Sequence, residues 1–433
     1  MRWAERAEPA RMQRIAIVSP QPALRRTLVE VADAGVVQLD PPDRDTVTPP
    51  EGDVGPAEAE IAGFVRSAVV RGQVAALAGW TPNLAVSELD ARLGPGGGSV
   101  VPLPRPRGVD PPTLLRHAGL SRSFAPLVAT YGTVPYADLD PTLPAGLAYV
   151  VMFGVMFADT GHGALLLLAG LLLRSGRIRR ARRLRPVWAF VAGAGLASMM
   201  AGLLYGEFFG PTHVVPVLWL SPLDHPVPLL LAGVGLGAVL LAVAYGVGVA
   251  NRVREGGWPL ALYAPSGLAG AGLFLALGLI AGGAYGDLPV VIWIGSLLAV
   301  AALGLAFIGF LAAAGGGGAG ASEAFVEMVD LVMRLGSNVV SFARLAAFGL
   351  THAALSLLVW DGTTGLWRRG GVAAALALVV FVVGNAVTFT LEAVVAGIQA
   401  LRLEYYELFS RVFAGQGRPF EPWHIPLVDE EST

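Results

Sequence analysis

The chain has 433 residues, of which 54% are hydrophobic and only 14% charged, with a mean hydropathy of +0.62. Soluble domains carry about 25% charged residues, so this composition excludes an ordinary soluble enzyme and predicts an integral membrane protein. A net charge of −2 lacks the basic footprint of a nucleic-acid partner, and the absence of cysteine excludes disulfides, thiolate chemistry and zinc–cysteine sites.

The opening, MRWAERAEPARMQRIAIVSP, has no continuous apolar stretch of the kind a secretory signal needs. Residues 1–140 are therefore expected to stay cytoplasmic, with Met12, just before a first strand, as an alternative start. Residues 12–40 read as strand, helix and strand. Residues 41–60, rich in Pro, Asp and Glu, read as a linker. A strand, turn and helix follow over residues 74–93, and a second Pro- and Gly-rich linker over 94–112. Lobes this small are expected to bury little core of their own.

Seven apolar runs occupy residues 143–173, 186–209, 227–250, 258–284, 288–314, 336–360 and 371–403. Most reach the roughly 20 residues that a helical span requires. The arginine-rich segments 174–185 and 251–257 belong on the cytoplasmic side, and the arginine-free segments 210–226 and 282–289 on the other. For residues 1–140 and 174–185 to share a side, run 143–173 must cross twice, broken at the DTGHG of residues 159–163. The expectation is a mostly α polytopic protein with about eight spans, both termini cytoplasmic, and a small N-terminal α+β region. Its parts are a cytosolic region over 1–140, a membrane domain over 141–413 and a cytosolic tail over 414–433. Arg368 and Arg369 then fall on the outer side, against the charge rule. The GGGGAG of residues 315–320 reads as a flexible loop and, without a following Gly-Lys-Ser/Thr, is not a phosphate loop.

Ionisable residues inside spans cost at least about 2.5–3.5 kcal/mol each, which makes them functional candidates. Snorkelling from a helix end accounts for Arg174, Arg334 and Arg411. It does not suit Arg344, about nine residues and roughly 13 Å into run 336–360. Ser337, Ser341, Arg344, Phe348 and Thr351 share one face of that helix, with His352 beside the last. On the final run Asn385, Thr388, Glu392, Val395, Gln399, Arg402 and Tyr406 alternate by three and four, another polar stripe. That helix, over 371–413, is long enough to tilt or protrude. Two such stripes, each with a permanent cation, suggest a wet path for a small ion. A fixed arginine there lowers the pKa of a passing carboxylate by about 1–3 units. Asp159 suits either a helix cap or a binding group, and Glu207, in LLYGEFFGP, either a structural or a functional role. His352 suits either a bond to a neighbouring helix or the path itself.

Five ordered motifs over more than 300 residues carry a resemblance. They are residues 111–142, VMFGVMFADTGHG (151–163), GLLYGEFFG (202–210), SNVVSFARLAAFGLTHAALS (337–356) and LEAVVAGIQALRLEYYELFSRVFAGQGRPFEPW (391–423). Together they resemble the large stator subunit, subunit a or I, of V-type and archaeal-type rotary ATPases. Residues 15–40 and 78–93 are similar to the two ends of that family's cytosolic domain. The resemblance implies eight membrane helices, the last two long, tilted and curved around a proteolipid ring. Arg344 would separate two aqueous half-channels and Arg402 would be the family's second arginine. Glu392 and His352 would line or relay to a half-channel, with Asn338 and Ser341 in the same motif and Gln399 on the same stripe. Asp330 matches only loosely an acid near the cytosolic channel, and Asn385, Thr388, Glu207 and Asp159 stay candidates for channel or structural roles.

The implied partners are the proteolipid ring, the peripheral and central stalks and the lipid bilayer. No cofactor and no metal is implied, and no catalysis by this chain alone. The family's usual cytosolic domain has a long helical hairpin that reaches the peripheral stalks. Here only about 140 residues with Pro-rich linkers stand in its place, which leaves the stator attachment open. A stand-alone secondary transporter is the alternative, but it predicts paired broken helices, and only the break at 159–163 is visible. A purely structural scaffold has no need for Arg344 and Glu392 at mid-membrane. Whether the ion is H⁺ or Na⁺ is not written in this chain.

Overall fold

A computed structural model describes residues 8–42, 56–177, 179–413 and 417–425. Residues 43–55 of the expected linker at 41–60, and 414–416 and 426–433 of the expected tail, lie outside the described residues. The chain divides into two units, Met1–Arg116 with Thr133–Asp140 and Gly415–Thr433, and His117–Gly132 with Pro141–Ala414. These bounds differ from a division at 140 and 414. Residues 117–132 join the helical unit, and the described part of the tail joins the other.

The first unit is built on β1 (Met12–Pro20), α1 (Leu24–Ala34), β2 (Gln38–Leu39), α2 (Pro56–Ser67), β3 (Val69–Arg71), β4 (Val74–Pro82), α3 (Val86–Leu93) and β5 (Ser99–Leu103). The sheet is antiparallel, ordered β2-β4-β1-β5, with β3 also on β4. This is the split β-α-β arrangement, carrying α2 and β3 as an insertion. Alternation in β1 buries Ile15 and Ile17, while α1 presents Leu24, Leu28 and Val31 at intervals of four and three to the same core. Gly35 ends α1 at φ +59, the left-handed cap that glycine adopts without penalty.

Three expectations change here. The two small lobes are one sheet, because β1 and β4 pair along nine positions from Met12↔Pro82 to Pro20↔Val74 and pool their apolar faces. The second linker contains β5, whose Pro102 sits on an edge strand, where a missing N–H is tolerated. Residues 56–60, assigned to the first linker, open α2. From the C-terminal segment, Trp423 joins the same core, its ring edge-on to Phe64 at 5.1 Å and its Nε1 donating to Glu60 at 2.8 Å.

The second unit is helical: α4 (Ser121–Tyr131), α5 (Thr142–Met156), α6 (Thr160–Ser175), α7 (Trp188–Tyr205), α8 (Pro226–Tyr263), α9 (Leu268–Tyr285), α10 (Pro289–Ala313), α11 (Gly317–Ser341), α12 (Ala343–Trp367) and α13 (Val372–Leu403). A π-helical turn, Glu404–Phe409, and a short α14 (Ser410–Val412) prolong the last of these. Six helical stretches are long and apolar enough to cross a membrane, and α5 and α6 are two shorter apolar helices. The protein is therefore a mostly α, polytopic membrane protein with a small N-terminal sheet region. The break expected in run 143–173 falls at residues 157–159, where Asp159 caps α6.

Boundaries moved where charge hid a helix. Residues 251–256, part of the segment expected between two apolar runs, are helical within α8, which kinks at Gly257 (φ 72) and runs on to Tyr263. There Arg252, 4% exposed, pairs with Glu255 at 2.5 Å, so its charge is compensated inside the fold. The GGGGAG segment is only partly a loop, since Gly315, Gly316 and Gly317 turn with positive φ and the helix starts at Gly317. Run 336–360 is consequently the later half of a 51-residue helical stretch, Gly317–Trp367, interrupted only at Phe342. Arg344 lies near the middle of that stretch, not nine residues from its start.

Helices α6 and α7 pack closely because small residues face each other. A Cβ on Gly195 would collide with the backbone of Gly163, Leu166 and Leu167, and one on Gly170 with Ala192. Gly195→Ala is expected to lower the Tm of the detergent-solubilised chain, at an overpacking cost of about 1–3 kcal/mol. Gly235→Ala, on an exposed face of α8 with nothing within 4 Å of the new methyl, should leave Tm unchanged or slightly raised. Equal Tm values for the two variants would count against this packing.

Candidate functional site

Ionisable residues gather in the helical unit at two levels. His352 follows Arg344 on α12 by eight positions, about 12 Å of helix at 1.5 Å per residue. On α13, Glu392 precedes Arg402 by ten positions, about 15 Å on the same reckoning. One level holds histidines and carboxylates, and the other holds arginines.

The first level is buried. Asp159, His162, Glu207, His352 and Glu392 are between 0% and 7% exposed. Their elements converge for local reasons. Asp159 ends the break between α5 and α6, and its Oδ1 accepts from the backbone N–H of His162 at 2.8 Å. Its Oδ2 accepts from the N–H of Gly210 at 2.9 Å, which ties down the loop after α7. The carbonyl of Glu207 in that loop accepts from the N–H of Thr160 at 3.0 Å. From α12 and α13, His352 Nδ1 and Glu392 Oε2 are hydrogen-bonded to each other. His352 Nε2 lies 4.0 Å from Asp159 Oδ2, and His162 Nδ1 lies 3.8 Å from Asp159 Oδ1, both beyond hydrogen-bond reach. The Asn385 amide is a polar neighbour of the His162 ring. Phe157, Phe209 and Phe389 surround these groups, with ring centroids 5.1–5.8 Å from that of His162. Among the described residues, His352 Nε2, Glu207 Oε2 and Glu392 Oε1 are buried without a hydrogen-bond partner.

The second level is open. Arg344 is half-buried and, among the described residues, makes no hydrogen bond or ion pair. It lines an open groove of about 610 Å³ with Leu230, Ser337, Val340, Ser341 and Ala347. Arg402 is exposed on α13 and close enough to Arg344 for the two charges to repel. Glu407 lies within electrostatic reach of Arg344, Arg402 and Arg411 and beside Ser341. It sits in the π-helical turn with Glu404, which is 1% exposed. The wider π turn brings both carboxylates inward three positions apart, and such turns recur at functional sites.

The predicted residues divide accordingly. Asp159, Glu207, His352, Glu392 and Asn385 meet in the buried cluster, where Asp159 is both a cap and a cluster member. Thr388, buried one turn before Glu392, lies on the same helix face. Ser341, Arg344 and Arg402 meet at the open level. Gln399, between the two levels on α13, has a buried Oε1 without a partner among the described residues. Asn338 is half-buried on α11. Asp330 does not join either group, since it pairs with Arg334 at 2.5 Å on an exposed face. Arg411 is not a snorkelling residue: it is 8% exposed, with its guanidinium 5.5 Å from the Tyr245 ring centroid.

His162, Glu404 and Glu407 had not been singled out. The acid-to-histidine spacing of three in DTGHG, at a helix start inside an apolar run, was a usable signal for His162. Nothing in LRLEYYELF announced a π turn.

The pattern of the V-type ATPase 116kDa subunit family matches residues 69–219 and 323–425, which include both levels of the site. An A-type ATP synthase subunit I of Aeropyrum pernix is 28% identical over 372 residues, 75% of this chain and 52% of that protein. One of Archaeoglobus fulgidus is 26% identical over 406 residues, 80% of this chain and 58% of that protein. A V-type ATP synthase subunit I 2 of Treponema pallidum is 37% identical over 123 residues, 28% of this chain. This chain thus spans little more than half the length of the two archaeal proteins. With most of its residues, and the residues of both charge levels, inside the matched segments, the chain belongs to the V-type ATPase 116kDa subunit family.

Proposed function

We propose that this chain is the stationary membrane subunit of a rotary V/A-type ATPase, forming two ion half-channels against a turning proteolipid ring. The observation that carries the reading is Arg344, a permanent cation near the middle of a 51-residue helical stretch that contains a window apolar enough to cross a membrane. It is unpaired among the described residues and borders an open groove. A charge so placed is costly without a partner, and a ring carboxylate arriving at the groove is the partner that offsets the cost.

In this mechanism each ring carboxylate travels through lipid neutralised by its H⁺ or Na⁺. On reaching Arg344 its ionised form is favoured, so it releases the ion into one half-channel. Having passed, it reloads from the other. Arg402 doubles the cationic barrier, and Glu407 limits the repulsion between the arginines. The buried level, with Asp159, Glu207, His352, Glu392, Asn385 and Thr388, lines or relays to one half-channel, and Gln399 continues it toward Arg402. Asn338 and Ser341 border the other.

The chain itself carries no nucleotide chemistry in this reading and couples ion flow to hydrolysis or synthesis elsewhere in the complex. Its sheet unit serves as a shortened cytosolic attachment toward the stalk subunits. Both termini lie on the cytoplasmic side of a prokaryotic plasma membrane. The family membership and the two-level arrangement of charge both support it.

Arg344→Ala is expected to abolish ATP-driven ion pumping by the reconstituted complex while the complex still assembles. Normal vesicle acidification, or normal Na⁺ uptake, in that variant would refute the mechanism. Glu392→Gln should slow transport about tenfold, roughly 1.4 kcal/mol of barrier, without stopping it. An unchanged rate would reduce Glu392 to a packing role.

A further inference from the structure

We infer that Asp159, His162 and His352 form a binding site for a first-row divalent transition metal of the zinc class. One ligand atom from each lies within 4.8 Å of the other two. Two imidazoles and a carboxylate make the three-ligand set that such ions take with a further position open.

Three independent features point to a ligand here. First, the free donors face the site. His352 Nε2, on a residue 2% exposed, has no hydrogen-bond partner among the described residues. His162, 1% exposed, makes no well-formed side-chain hydrogen bond there either, though Asn385 lies alongside.

Second, the outer partners are those of a metal site. His352 is held through Nδ1 by Glu392, which leaves Nε2 as the donor, the carboxylate–histidine–metal arrangement. Asp159 is oriented by two backbone N–H groups, those of His162 and Gly210. The Phe157, Phe209 and Phe389 rings supply the apolar shell.

Third, the charge asks for a cation. Asp159, Glu207 and Glu392 bring three carboxylates into one buried space, while Arg344 on α12 is about 12 Å away along the helix. A divalent ion held by Asp159, with Glu392 behind His352, offsets the cost of burying carboxylates there. Glu207 Oε2, buried and unpartnered among the described residues, adds a further acceptor to the same buried cluster. Only six histidines and no cysteine exist in the chain, so competing sites are few.

Binding of this kind does not depend on the rotary reading, and it is tested on the full chain, purified in detergent without a histidine tag. Zn²⁺ titrated against a chromophoric chelator should show one tight equivalent. Co²⁺ in its place should give the visible bands of a four- or five-coordinate site. Zinc-edge X-ray absorption should show imidazole scattering with N/O ligands. His162→Gln and Asp159→Asn should each weaken binding at least tenfold, and Glu392→Gln by about 10–100-fold. His213→Gln and His225→Gln should change nothing. The proposal fails if the unaltered chain has no stoichiometric site. It also fails if the spectrum lacks imidazole, or if both His162→Gln and Asp159→Asn bind zinc as tightly as the unaltered chain. Because the first three readouts use the unaltered chain, misfolding of a variant does not shield the proposal.

Discussion

A guanidinium cannot give up its proton, and a hydrocarbon slab does not solvate it. Every feature around Arg344 answers to that constraint. The helical stretch that carries it is anchored through buried neighbours, Phe342, Leu345 and Ala346, so the backbone cannot slide to bring the charge to a surface. The side chain itself is left beside a groove. Arg402 adds a second charge of the same sign, and the carboxylate of Glu407 in the π turn offsets part of the repulsion. In the proposed mechanism a negative partner from outside the chain completes this arrangement.

The histidine–carboxylate level answers to a different constraint. Its members come from the start of α6, the loop after α7, α12 and α13. Asp159 orders two backbone N–H groups, and His352 and Glu392 fix each other across the interface of α12 and α13. Groups so held keep one geometry in an apolar cage, which suits either stepwise proton movement or capture of a metal ion. Both uses draw on the same open nitrogen of His352.

Close helix packing makes these levels possible. Glycines on α6 and α7 let the backbones meet, and Gly202 brings α7 against residues 159 and 160 at the cluster itself. Tyr149 on α5 donates to the carbonyl of Gly397 at 3.2 Å, which pins α13 between its two charged levels. Without a hydrophobic drive between helices in lipid, such contacts set the spacing of the bundle.

The sequence by itself determined the membrane class, the apolar runs, the break at Asp159 and the polar stripes containing Arg344, Glu392 and Arg402. Each of these is a matter of composition or of helical period, which local order carries in full. It also marked His352 and Glu392, yet not that they bond each other, since forty residues of chain separate them. Only the tertiary structure decided that two small lobes share one sheet and that Trp423 from the C-terminal segment joins its core. Only it turned Glu404 and Glu407 inward, buried Arg411 against Tyr245, and set His162 beside Asp159 and His352. Pairings between distant segments, and one extra residue in a helical turn, leave no periodic trace. They become visible when the chain has closed on itself.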